Sequence, residues 1–213
     1  MRKFKNKYRI PSSRLQHWNY GLPGSYFITI CTKDRKKYFG EIEDGEMHLH
    51  ELVRIAHAEW ARTPEIRPDM NLTLNSFQVM PNHFHGILMI GENKFNTSEK
   101  KQIMSGRDAI HGVSTSDIPH DGGIKDAMHN LSTGAKFNEL PKNQFGPQSK
   151  NLGSVNRGFK SSVTIYARNH HIEFDWQERF QDHIIRNYLE YVRISTYIIN
   201  NPIKWKEDKF FYD

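Results

Sequence analysis

The stretch "FQVMPNHFHGILMI", residues 77–90, constrains the fold most strongly because it joins two apolar runs through a tight turn. The turn residues Pro81 and Asn82 separate the runs, which predicts two antiparallel strands. Side chains at positions i and i+2 of a strand project from the same face, so His83 and His85 point the same way. Burying two imidazoles costs free energy unless they are paired or bound to metal. The stretch therefore predicts a hairpin that carries a candidate metal-binding face.

The rest of the chain alternates between strand and helix patterns, which predicts an α+β fold. Aromatic and β-branched runs bounded by turn residues indicate strands, while apolar residues spaced three or four apart indicate helices. The predicted elements are a strand at 25–31, a hairpin around Asp44–Gly45, a helix at 51–63, a helix at 154–171, a strand within 174–187 and a helix ending at about Pro202.

Residues 91–152 differ from the rest because they are rich in Ser, Asn, Gly, Lys and Asp and carry few large apolar side chains. They are predicted to form a long, mobile, low-complexity insertion in one catalytic domain made of residues 1–90 and 153–213. The insertion contains an internal repeat, "DAIHGVST" and "DAMHNLST", with His111 and His129 at matching positions. The repeat is either a second metal or partner site or a duplicated linker.

Charge and composition narrow the class of protein. The chain has 30 Lys and Arg residues against 24 Asp and Glu, a formal charge of +6, which favours an anionic partner. Its one cysteine, Cys31, excludes an internal disulfide framework. No apolar run approaches the roughly 20 residues of a membrane helix, and no signal-peptide core opens the chain. We therefore expect a cytoplasmic protein.

The last predicted helix carries a tyrosine among polar neighbours. At about 100° per residue, Glu190, Arg193, Ile194 and Asn201 lie on the same side as Tyr197. The amide oxygen of Asn201, one turn beyond the tyrosine, is a candidate metal ligand. The other side of the helix is predicted to pack on the core through Tyr188, Tyr191, Val192, Ser195, Ile198 and Ile199.

Five stretches stand in an order that resembles the REP-associated tyrosine transposases: "YFITICTKDRKKYFGEI", "PNHFHG", "FKSSVT", "DHIIRN" and "YIINNPIKW". These are single-tyrosine nucleases of the HUH type (histidine, hydrophobic residue, histidine), related to the single-strand transposases of small insertion sequences. The resemblance covers about residues 8–90 and 153–208 and leaves the insertion outside. It implies a ferredoxin-like antiparallel sheet with helices on one side, and a C-terminal helix that carries the nucleophile.

The resemblance also implies a reaction. Tyr197, which precedes the Asn-Pro pair, would attack a phosphodiester in single-stranded DNA, release a free 3′-hydroxyl and keep the 5′-phosphate as a phosphotyrosine. His83, His85 and Asn201 would hold Mg²⁺ or Mn²⁺. The expected targets are palindromic repeats that form hairpins. The expected protein is a monomer or a homodimer.

Candidate DNA contacts are less specific, because basic surface residues are usually only solvated. Trp18, Tyr20 and Tyr38 are candidates for stacking on unpaired bases. His183 and Arg186 either orient the site and touch phosphate or are strand residues with structural partners. The candidate phosphate contacts are Arg35, Lys36, Lys37, Arg157, Lys160 and Arg168.

Two rival interpretations stay open. A metal-dependent nucleotide phosphohydrolase of the His-x-His-x-His kind would need a third histidine, but Ile87 stands after Gly86, and Tyr197 would have no role. A degenerate relative that binds DNA hairpins without cutting them would have the same motifs. His48 and His50 repeat the spacing of the histidine pair but are interpreted as structural.

Overall fold

A computed structural model describes residues 15, 18–43, 46–97 and 149–211. Its centre is a four-stranded antiparallel sheet with the order β4-β5-β1-β6, and β2 and β3 form a separate hairpin. The strands are β1 (Gly24–Cys31), β2 (Gly40–Glu43), β3 (Glu46–Leu49), β4 (Leu72–Met80), β5 (His83–Ile90) and β6 (Gln181–Ile185). The antiparallel sheet and the α+β class are confirmed.

Four α-helices accompany the sheet in the described part of the chain: α1 (Glu51–Ala61), α2 (Thr63–Ile66), α3 (Leu152–Asn169) and α4 (Tyr188–Asn200). Helices α1 and α3 pack together over one face of the sheet, and α4 lies over the other. Side-chain caps fix where the two long C-terminal helices begin. Asn151 and Ser154 form a capping box at α3, and the Asn187 side chain accepts the Glu190 N–H at α4.

The alternation of β5 divides the interior of the protein into two parts. Phe84 and Leu88 enter the larger core under α1 and α3, while Ile87 faces α4. Gly86 points toward the larger core, where an added Cβ would lie 2.9 Å from the Phe84 ring and 3.2 Å from Trp60. A side chain at this position would displace the aromatic packing. The sheet is therefore apolar on the Phe84 face, and the histidines of β5 lie on the opposite face.

The phase predicted for α4 is wrong. Ile194 and Ile198 are its buried residues, at 6% and 0% exposure, whereas Val192 and Ile199 are 40% and 63% exposed. The helix has apolar residues on two opposite sides, and periodicity alone does not tell which side meets the sheet. The corrected phase places Tyr197 next to the buried side instead of opposite it.

Both described ends of the predicted insertion pack on the domain. Asn96 is 2% exposed and donates hydrogen bonds to the backbone carbonyls of Gly21 and Gly91, and Lys150 forms an ion pair with Asp69. Residues 98–148, with the repeat and its two histidines, lie outside the described residues. The extent and mobility of the insertion stay predictions. The hairpin predicted around Asp44–Gly45 is confirmed by the pairing of Glu43 with Glu46, although its two turn residues also lie outside the description.

None of the helices in the described ranges has both the length and the apolar character that crossing a membrane requires.

Candidate active site

His83 and His85 project from the centre of the sheet toward α4, with ring centroids 4.4 Å apart and both side chains fully buried. Burial lowers the pKa of His85 to about 3. Burial, and secondarily the neighbouring His85, lowers the pKa of His83 well below its ordinary value. Both imidazoles are therefore neutral at pH 7, which is the form that binds a metal ion.

Hydrogen bonds from neighbouring residues orient the two rings. Asn82 donates through Nδ2 to the Phe210 carbonyl at 2.8 Å, which turns its Oδ1 toward His83 Nδ1, also at 2.8 Å. Because an amide oxygen only accepts, His83 Nδ1 carries the proton and Nε2 keeps a lone pair. Among the described residues this buried Nε2 has no hydrogen-bond partner. The Thr29 hydroxyl lies 2.9 Å from His85 Nδ1 and orients the second ring, and because a hydroxyl both donates and accepts, this bond is compatible with either tautomer of His85.

Tyr197 on α4 faces this pair. Its hydroxyl lies 3.1 Å from His85 Nε2 and donates a hydrogen bond of 2.7 Å to Asp208. Burial and the Asp208 carboxylate both raise the pKa of Tyr197. The side chain is still 38% exposed, so the phenol borders the histidines on one side and solvent on the other.

Two residues with oxygen atoms that can bind a metal ion, Asn201 and Asp208, lie beside the histidines. Asn201 is 2% exposed and donates through Nδ2 to the same Asp208 oxygen at 2.7 Å. Its Oδ1 is buried and has no partner within the described part of the chain. One ligand atom each from His83, His85 and Asp208 lie within 4.8 Å of one another. Asp208 was not predicted, because it comes from a loop after α4 and no spacing in the sequence links it to the histidines.

The donor set fits a divalent cation. Two neutral imidazoles, a carboxylate and an amide oxygen suit Mn²⁺ and, less specifically, Mg²⁺. Buried polar atoms without partners cost free energy, so the orphaned His83 Nε2 and Asn201 Oδ1 are further signs of a ligand. The structure thus brings His83 and His85 together with Asp208, and Asn201 is linked to this group by its hydrogen bond to Asp208.

The C-terminal stretch covers the histidines. The ring of Phe210, 2% exposed, has its centroid 4.7 Å from that of His83 and 5.7 Å from that of His85. The Arg35 guanidinium lies 4.4 Å and the Lys209 ammonium 4.7 Å from the Phe210 centroid. Two cations therefore border the site on the side where Phe210 closes it.

An open cavity of about 370 Å³ adjoins Tyr197 on the solvent side. Tyr197, Asn201 and Asp208 line it next to the cluster, and Arg193 and Lys204 add positive charge farther out.

The predicted DNA contacts fall into two groups. Arg35, Lys36 and Lys37 follow β1 on the side of the site, where Lys36 pairs with Glu173 at 2.8 Å and Lys37 lies over Phe211. Arg157, Lys160 and Arg168 lie on α3, across the sheet from the histidines. There Lys160 donates to the Gln177 carbonyl at 2.6 Å.

Of the aromatic candidates, Tyr20 is 1% exposed in the larger core, so the prediction that it stacks on bases is wrong. The Trp18 indole N–H donates to the Tyr26 hydroxyl at 3.2 Å. Tyr38 donates to Glu173 at 3.3 Å and remains partly exposed.

His183 and Arg186 have structural partners. His183 Nε2 lies 2.7 Å from a Glu190 carboxylate oxygen, and the backbone N–H of Arg186 donates to the other oxygen at 2.9 Å. These bonds attach the end of β6 to the first turn of α4. They hold the N-terminal end of the helix that carries Tyr197.

Fold and site together define an α+β protein whose sheet presents a buried histidine pair to a tyrosine-bearing helix. No family model matches the chain. It is 33% identical over 203 residues to an uncharacterized protein of Haemophilus influenzae, covering 95% of this chain and 93% of that protein. The chain therefore belongs to the same family as the Haemophilus influenzae protein.

Two solved structures are similar at lower levels. One is a REP-associated tyrosine transposase bound to a REP hairpin, 18% identical with a TM-score of 0.49, over 93% of this chain and 77% of that one. The other is a candidate transposase from Deinococcus radiodurans, which is 12% identical with a TM-score of 0.31. The match covers 91% of this chain and 97% of that chain.

Proposed function

We propose that this chain is a metal-dependent single-stranded DNA endonuclease and strand transferase of the REP-associated tyrosine transposase type. The observation that carries the proposal is the position of the Tyr197 hydroxyl. It lies 3.1 Å from Nε2 of His85, one of the two buried histidines, and it donates a hydrogen bond to Asp208. A phenol held between a metal-ligand cluster and a carboxylate, and open to solvent, suits nucleophilic attack on a phosphodiester.

The proposed step exchanges one phosphorus–oxygen bond for another. The Tyr197 oxygen forms a bond to phosphorus, the bond from phosphorus to the 3′-oxygen breaks, and the leaving oxygen takes a proton to become a free 3′-hydroxyl. The product is a 5′-phosphotyrosine, which keeps the bond energy for transfer to a second strand. Because its pKa is raised, Tyr197 is protonated at neutral pH and needs an acceptor. Asp208, which already accepts its hydrogen bond, is that acceptor.

With Asp208 acting as the proton acceptor, His83, His85 and Asn201 would hold Mg²⁺ or Mn²⁺, which when bound would withdraw charge from the scissile phosphate. Asn82 and Thr29 fix the ring orientations, so the two Nε2 atoms are aimed before any ligand arrives. Neither imidazole has to lose a proton at pH 7, because burial keeps both neutral.

Single strands that flank DNA hairpins are the proposed substrate. The motif resemblance implies palindromic repeats, and the formal charge of +6 favours a polyanion. Arg193 and Lys204, which line the open cavity beside Tyr197, are the cations best placed for a phosphate that enters the site, while Arg35 and Lys209 flank the Phe210 ring on the closed side. The basic residues of α3 lie across the sheet, where only a flanking part of a hairpin would meet them.

A second candidate function is a protein that binds hairpins without cutting them. The observation that favours it is the complete burial of both histidines under the C-terminal stretch. A phosphate reaches them only if Phe210 moves. The phosphohydrolase interpretation, by contrast, has no role for a tyrosine placed beside His85.

One experiment separates these functions. The full chain is incubated with Mn²⁺ and a DNA hairpin that has labelled single-stranded flanks, and the products are denatured and separated by size. The proposal predicts a labelled covalent protein–DNA adduct and a free 3′-hydroxyl on the released strand. Binding without an adduct would support the second candidate, and release of free phosphate would support the phosphohydrolase.

A further inference from the structure

The outer side of α4, opposite its buried residues, carries an unusual row of exposed apolar side chains. We call this row the outer stripe. Its four members are Leu189 (80% exposed), Val192 (40%), Ile199 (63%) and Ile203 (76%). Thr196 lies between the two halves. Lys204 N–H donates to the Asn200 carbonyl at 3.1 Å, so the helical path continues to Ile203, one turn beyond Ile199.

The spacing of the outer stripe is that of a helix–helix seam. With Thr196 included, successive members lie three, four, three and four residues apart, which is the a/d pattern of paired helices. A surface helix of a monomer needs one apolar side, and Ile194 and Ile198 already supply it. A second side with large exposed aliphatic residues marks an interaction surface.

We propose that the outer stripe joins two copies of this chain, with the two α4 helices antiparallel and a twofold axis at Thr196. In this arrangement Leu189 meets Ile203 of the partner subunit, and Val192 meets the partner's Ile199. Thr196, the smallest member, meets the partner's Thr196 at the axis. The stripe is thus complementary to itself, as an interface between identical copies with twofold symmetry requires.

The charge beside the outer stripe favours the antiparallel arrangement. Arg193 and Asn200 border the stripe along one edge of α4. Antiparallel pairing about Thr196 brings each Arg193 near the partner's Asn200, whereas parallel pairing places the two Arg193 side chains together. The pairing therefore has polar partners along one edge of an apolar seam.

The size of the stripe predicts a weak, reversible dimer. Four large aliphatic side chains per copy, with their flanking residues, bury a total of about 1,000 Å², the lower end for a specific interface. We expect a dissociation constant in the micromolar range. The dimer forms at high local concentration, and its formation does not depend on the proposed function.

The pairing also sets the positions of the two candidate sites. Arg193 and Asn200 line the cavity beside Tyr197 and also border the outer stripe. An antiparallel pair with a twofold axis keeps this edge of both helices on the same side of the dimer. Both tyrosines then open toward the same side of the pair.

The first test is sedimentation equilibrium of the full chain from about 1 to about 200 μM. We expect a reversible monomer–dimer equilibrium in the parent. Ile199→Glu, which places a charge in the seam, should weaken dimerisation at least tenfold. The matched control is Ile165→Glu, since Ile165 is a 53% exposed aliphatic residue on α3 and should leave association unchanged. A parent that stays monomeric, or an Ile199→Glu variant that associates as the parent does, would overturn the proposal.

Disulfide trapping tests the orientation. The only native cysteine, Cys31, is buried, so an introduced surface thiol is the one that reacts. Under copper-phenanthroline oxidation, Thr196→Cys should form a covalent dimer. Leu189→Cys should cross-link when mixed with Ile203→Cys and weakly with itself. If Leu189→Cys forms more disulfide with a second copy of itself than with Ile203→Cys, the antiparallel arrangement is wrong. Efficient labelling of a lone Thr196→Cys by maleimide, with no dimer at about 200 μM, would show that no second copy covers this face.

Discussion

The burial of His85 predicts how the stability of the protein depends on pH. Its pKa is about 3 in the folded protein, against an ordinary value of 6.5. The unfolded chain therefore binds a proton at a pH where the folded chain does not. The stabilising effect of keeping this imidazole neutral is fully present above pH 6.5 and is lost as the pH falls below that value.

The size of this effect follows from linkage. Between about pH 7.5 and about pH 5.5, protonation of the unfolded chain at His85 alone lowers the free energy of unfolding by about 1.4 kcal/mol. His83, whose pKa burial also lowers, acts in the same direction. This change of about 1.4 kcal/mol depends mainly on the pKa of His85 in the unfolded chain, because the pKa of His85 in the folded protein lies more than one unit below both pH values.

The assay is urea unfolding at the two pH values, with a chelator present to keep metal ions off the histidines. His85→Asn removes the titrating ring, so its free energy of unfolding should fall by about 1.4 kcal/mol less than that of the parent over this pH range. Tyr197→Phe is the matched control, because it alters the neighbouring side chain and leaves both imidazoles in place. If His85→Asn and the parent lose the same stability, the imidazole is not held neutral by burial and the reasoning fails.

Three further predictions concern metal, DNA and the insertion. The double variant His83→Ala, His85→Ala should show no Mn²⁺ binding by calorimetry under conditions where the parent binds; equal binding would place the metal elsewhere. DNA binding should favour hairpins with single-stranded flanks over blunt duplex and weaken steeply with salt, and a preference for duplex would contradict the proposed substrate. Replacing residues 98–148 by a short Gly/Ser linker should leave a folded, metal-binding protein, as checked by circular dichroism and calorimetry. Loss of the fold would show that this segment is part of the domain.

The elements of the fold were predictable because their patterns are local. The strand 25–31, the hairpin that contains the two histidines and the helices at 51–63 and 154–171 each carry their own periodicity, and the structure has all of them. The phase of α4 was not predictable in this way. The apolar side that packs on the sheet and the apolar outer stripe give the same signal, and only the tertiary contact distinguishes them.

The candidate site was predictable where one element carries the signal. The histidine pair lies on one strand, and Tyr197 and Asn201 lie one turn apart on one helix, so their relations follow from strand and helix geometry. Asp208 lies in the loop after α4, and its distance to the histidines depends on how that loop turns back over the sheet. The burial of Tyr20 was missed for a similar reason, because an aromatic residue in a loop has no periodicity to assign it to a core.

The most direct test of Tyr197 as the nucleophile is to map a covalent adduct in the parent and in Tyr197→Phe. The substitution removes only the hydroxyl, so metal and hairpin binding should persist while strand cleavage and the adduct vanish. Tyr191→Phe is the matched control, because Tyr191 lies on the same helix and its hydroxyl bonds Asn75 at 3.0 Å, away from the histidines. Mass spectrometry of the trapped parent should place the 5′-phosphate on the peptide that contains Tyr197. An adduct on another residue, or cleavage by Tyr197→Phe at the rate of the parent, would contradict the account.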